Sequence, residues 1–98
     1  MKISEVTAGH MADYLRLDEP GEIEIREIQS MIAAAIAYIT GYTGLSIEEL
    51  DQFEDITVAL MILVSDYYEN RAMYLDYKYK EENTAVTKIL SLHCINFL

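Results

Sequence analysis

The chain has 98 residues, 52% hydrophobic and 24% charged, a balance that argues against disorder and for one packed domain over residues 1–98. Seventeen acids against seven bases give a net charge of -10, which repels a phosphate backbone and disfavours ordinary nucleic-acid binding. The lone Cys94 allows no internal disulfide and no cysteine cluster, and points to a reducing, intracellular setting.

The N-terminus carries Lys2 but no apolar run, so no signal peptide is expected. Eight tyrosines stand against two phenylalanines and no tryptophan. Each has a ring to bury and a hydroxyl to keep wet, which suits either an interface or the edge of an amphipathic helix.

In chain order, Ser4 is placed as an N-cap, followed by the apolar positions Val6, Met11, Tyr14, Leu15 and Leu17, at roughly helical spacing through Leu15. Gly9 weakens this short helix by about 1 kcal/mol against alanine. Asp18-Glu19-Pro20-Gly21 reads as a turn. From Glu22 to Thr40 the residues Ile25, Ile28, Ile32, Ala35 and Ile39 step by three and four, with Met31 and Ile36 widening the stripe, which predicts an amphipathic helix. Its core positions are Ile28, Ile32, Ile36 and Ile39. Glu22, Glu24 and Glu27 fit the positive end of its dipole, Ala33, Ala34, Ala35 and Ala37 allow another helix to approach closely, and Gly41 and Gly44 suit a left-handed cap and exit turn.

Ser46 with Glu49 three residues on forms a capping box that opens a short helical turn, with Leu50 and Phe53 inward. Glu48, Glu49, Asp51, Glu54 and Asp55 lack the ligand spacing and sharp-turn glycine of a calcium loop, and read as a solvated acidic face. From Ile56 to Val64 only Thr57 is not strictly apolar, so a helix here is hydrophobic all round. The run is too short for a membrane span of about 20 residues, so its surroundings are expected to be protein, with Ile56, Leu60, Leu63 and Val64 in the core. Beyond it, Tyr74, Tyr77 and Tyr79 alternate with charges as a short extended segment or a loop. A last helix is predicted through Val86, Ile89, Leu90 and Leu92 or His93, with an N-cap in Glu81 to Thr84 and an apolar tail of Ile95, Phe97 and Leu98. The fold expected is all-α: a small helical bundle of about four helices around a fully buried central helix, about residues 55–71.

No catalytic, metal or cofactor site is expected. Cys94 and His93 are neighbours in sequence, but a thiolate-imidazole pair needs apposition in space and an orienting third group. His10 and His93 share no ligand spacing with paired carboxylates, and the four glycines form no phosphate loop. The helix-end cluster Tyr67, Tyr68, Glu69, Asn70 and Arg71 is the candidate subunit interface. Its plainer reading is a helix end, with Arg71 on the terminal carbonyls and stacked over Tyr67.

Tyr-Leu-Arg-Leu-Asp at Tyr14 to Asp18, a long Ile/Ala helix ending near Thr-Gly, and an apolar helix ending Tyr-Tyr-Glu-Asn-Arg at Tyr67 to Arg71 resemble the phage head-tail connector family. The resemblance runs from about Ile3 to Leu92, and Tyr68 to Arg71 is its most specific word. It implies a structural, non-enzymatic subunit of a homo-oligomeric ring that extends the portal channel and joins head to tail. Its implied partners are the portal protein and a tail-completion protein, with DNA passing through without specific binding, no membrane, and a place in the virion after assembly in the bacterial cytoplasm. The alternative is an acidic regulatory module that imitates DNA, or a protein-interaction module. Against imitation of DNA, the acids gather at helix starts and in Glu48 to Asp55 rather than along one face.

Overall fold

The structure is a computed structural model that describes residues 1–70 and 84–94. A 3-10 turn at Ile3–Glu5 precedes α1 (Ala8–Tyr14), α2 (Glu22–Thr43), α3 (Ile47–Leu50), α4 (Glu54–Glu69) and α5 (Thr84–Ser91). The described residues hold no strand, and the helices pack on one another as an all-α bundle.

The most extensive packing is between α2 and α4, with α1 lying across both and α5 closing on α4 and, less broadly, α2. Burial follows the helical period. On α2, Ile28, Ile32, Ala35 and Ile39 are buried, with Ile36 half-buried against them. On α4, Ile56, Ala59, Leu60, Leu63 and Val64 are buried. Ile3, Met11, Leu50, Val86 and Leu90 complete the core from the other elements.

Four details depart from the sequence reading. Thr7, not Ser4, caps α1, its hydroxyl accepting the His10 N–H at 3.2 Å. Ser4 instead binds at a distance, its hydroxyl and backbone N–H both donating to the Asp51 carboxylate, at 2.8 and 3.0 Å. α2 runs past Gly41 to Thr43, and the left-handed cap falls on Gly44 alone, at φ 76° with its N–H on the Thr40 carbonyl. Thr43 fixes that corner from inside, donating to the Ile39 carbonyl at 2.7 Å and accepting the Leu45 N–H at 3.2 Å.

α4 is not covered all round, since Val58 is 51% exposed. The 3-10 turn, α1, α2 and α5 cover its other sides and leave one line open. Between the two alternatives left open at the end of α5, the structure selects His93, which turns inward while Leu92 stands 78% exposed. The Tyr74 to Tyr79 alternation, the Glu81 to Asn83 part of the expected N-cap, Arg71 and the apolar tail lie outside the described residues.

Tyr-Leu-Arg-Leu-Asp has a local explanation. The Leu17 N–H bonds to the Ala12 carbonyl and the Arg16 N–H to the Asp13 carbonyl, the paired bonds of a Schellman cap. Arg16 occupies the left-handed position at φ 59°, where glycine is usual.

Candidate functional site

The Tyr67 to Arg71 cluster begins in the last turn of α4. Tyr67 packs on the core, and burial pushes its hydroxyl above the ordinary phenol value, with Tyr38 and Asp66 adding to the shift. The Tyr68 hydroxyl donates to the Glu24 carboxylate, joining the end of α4 to the start of α2. Asn70 caps the helix: its side-chain amide donates to the Asp66 carboxylate at 2.8 Å and to the Asp66 carbonyl at 3.2 Å. Only Glu69 of the described members is exposed. Tyr67, Tyr68 and Asn70 thus have partners within the chain, which is the arrangement a helix end requires.

The second feature lies at the opposite end of α4. The Ser46 hydroxyl accepts the Glu49 N–H at 3.2 Å while the Glu49 carboxylate accepts the Ser46 N–H at 3.1 Å, the two halves of a capping box that sets the direction of α3. Behind it, His93 Nε2 lies 2.7 Å from Asp55 Oδ2, and the imidazole rests on the Phe53 ring with centroids 4.2 Å apart. The Cys94 thiol donates to the Tyr42 carbonyl at 3.3 Å, and the Tyr42 and Ser91 hydroxyls are 3.0 Å apart. These bonds tie the end of α5 to α2 and α4. Between α3 and that end runs an open groove of about 420 Å³, floored by Leu45 and Phe53 and edged by Glu49, Gln52 and Leu92.

His93 and Cys94 are engaged with different partners, Asp55 and the Tyr42 carbonyl. Among the described residues no three His, Cys, Asp or Glu side chains converge as metal ligands, and no helix is long and apolar enough to cross a membrane. Sequence reading missed the groove because its walls come from residues 45 to 53 and 92 to 94, brought together by His93 with Asp55 and Cys94 with Tyr42. Nothing local marks Asp55 for a histidine 38 residues away, or Glu24 for a tyrosine 44 residues away.

Set against protein-family models, characterised proteins and solved structures, the chain matches none.

Proposed function

We propose that this chain is a structural subunit of the head-tail connector type, without enzymatic activity, which assembles with copies of itself into a ring through which DNA passes without being held. A ring repeats one head-to-tail contact until it closes, so each subunit needs two different adhesive faces. The observation that carries the reading is a pair of unlike exposed helix faces. On α2 the outward line is Ser30, Ala33, Ala34, Ala37 and Gly41, all exposed and all small. On α4 it is Val58, 51% exposed, flanked by the half-buried Met61 and Ser65, so that one branched aliphatic side chain stands out from the helix.

The two lines lie on different helices and differ in shape, and small residues on one helix admit the close approach of another. The resemblance in Tyr14 to Asp18 and Tyr68 to Arg71 supports the same reading with less weight, since the Schellman cap and the Tyr68–Glu24 bond give those residues work inside the chain. The acidic-regulator alternative has weaker support. Asp51 and Asp55 are bonded to Ser4 and His93 rather than displayed along a face.

The test is native mass spectrometry over a wide concentration range, with negative-stain images of any large species. Closed rings of one defined size are expected, and Ala34→Gln and Val58→Ser should each leave monomers with an unchanged melting temperature. A monomer at every concentration, alone and with a portal protein added, would sink the ring and favour the regulator.

A further inference from the structure

We propose that the groove between α3 and the end of α5 is a docking site for a short segment of another protein, one that carries a large apolar side chain flanked by arginine or lysine. The proposal does not depend on the ring.

Its first support is Leu92, which is 78% exposed yet held in place on both sides. Ser91 donates to the Thr87 carbonyl at 2.7 Å and meets the Tyr42 hydroxyl, His93 is fixed to Asp55, and Cys94 to the Tyr42 carbonyl. The backbone that carries Leu92 beside the half-buried Phe53 ring is therefore already ordered, which leaves only the side chain's own rotamers to be fixed on binding. The groove has room for one or two side chains of a partner.

The second support is charge. No lysine, arginine or histidine occurs from Glu27 through Asn70, so the acids around α3 have no base from their own part of the chain. Asp51 and Asp55 are satisfied by Ser4 and His93, whereas Glu48 and Glu54 are exposed with no side-chain hydrogen-bond or ion-pair partner among the described residues, and Glu49 forms the groove's edge. An apolar floor with an acidic rim selects an apolar side chain with cationic neighbours, and opposite potentials speed and orient such an encounter.

The described part of a second copy fits poorly, since its other exposed aliphatic side chains lack cationic neighbours on both sides: Ile23, at 74%, sits among Glu22, Glu24 and Glu27 with only Arg26 beside it, and Ile47 and Val58 lie in the stretch without lysine or arginine. Nucleic acid and other anions are repelled by the same rim.

The experiment is a titration of the full isotope-labelled chain at low salt, followed by NMR, with a synthetic peptide bearing leucines flanked by arginines. A matched peptide with glutamate in place of arginine is the control. The arginine peptide should shift the amides of Leu45, Gln52, Leu92 and Cys94, and the glutamate peptide should shift none of them. Leu92→Ser should weaken binding about tenfold, the scale expected from losing one buried leucine contact. Glu49→Gln, which keeps the capping box, should weaken it about threefold. No binding, equal binding of both peptides, shifts centred on Glu22 to Glu27, or an unchanged affinity in Leu92→Ser would each overturn the proposal. Shifts of the same amides with protein concentration alone would put a second copy in the groove and overturn the assigned occupant.

Discussion

Between α2 and α4 the molecule is held by aliphatic burial, while around α3 and the end of α5 it is held largely by named polar bonds between residues far apart in the chain. The first region offers many interchangeable contacts, so each is individually modest and the sum is robust. The second relies on Ser4–Asp51, Thr57 to the Met1 carbonyl, Asp55–His93 and Tyr42–Ser91, each joining residues 38 to 56 apart. The same short chain thus has an end that tolerates variation in detail and an end where single atoms matter.

The largest expected effect breaks the aliphatic side of this contrast. Leu60→Ala leaves a cavity at a fully buried position and should cost about 2 to 5 kcal/mol in denaturant melts. A loss below about 0.5 kcal/mol would mean that α4 is not buried as described. Next, the corner joining the two regions is open to a paired substitution. Gly44→Ala places a Cβ at φ 76° and should cost about 1 to 2 kcal/mol. Ser46→Ala removes the capping-box hydroxyl, and thermal melts should show a loss of about 1 kcal/mol.

Gly41→Ala should have the opposite sign, a gain of up to about 1 kcal/mol, because a Cβ there meets no described atom within 4 Å and the residue is helical. If the same substitution also disrupts rings, the α2 outer face is an interface and the glycine is there for the neighbour's approach.

The smallest effect probes the polar end alone. Hydrogen bonds from the Ser4 hydroxyl and backbone hold the Asp51 carboxyl below its ordinary range, with Lys2 adding a weaker pull. A carboxyl whose folded value is depressed stabilises above its unfolded value, and that contribution is lost as pH falls through the folded value. The stability difference between the wild type and Asp51→Asn should therefore shrink on acidification through the carboxylate range, as read by urea melts at stepped pH. A difference independent of pH would mean that the Ser4–Asp51 bonds contribute nothing through charge.

Periodicity explains why one region is readable in the sequence and the other is not. Ile28, Ile32 and Ile39 announce a buried helix face by spacing alone, and Ser46 with Glu49 announces a helix start within four residues. The open line at Val58 is not legible, because an all-apolar helix carries no sign of which side its neighbours leave uncovered. Ser4 reads as a cap because a serine ahead of an apolar series resembles one, and only the fold reveals that Asp51 claims its hydroxyl first. The groove is invisible for the same reason, since its two sides share no local pattern. Of the candidate cluster at the end of α4, sequence supplies the residues, and the structure supplies Glu24 as the partner of Tyr68.

The polar bonds of the first residues also set an order of events. Met1 and Ser4 find their partners at Thr57 and Asp51, and Ile3 is buried in a core that includes α4. A chain emerging from the ribosome at about 5 to 20 residues per second must therefore carry its first turn unpaired for about 3 to 10 seconds. During that interval Ile3 and Met11 lack their mature cover, and the arrival of Asp51 and Thr57 is what latches residues 1–4 to the start of α4.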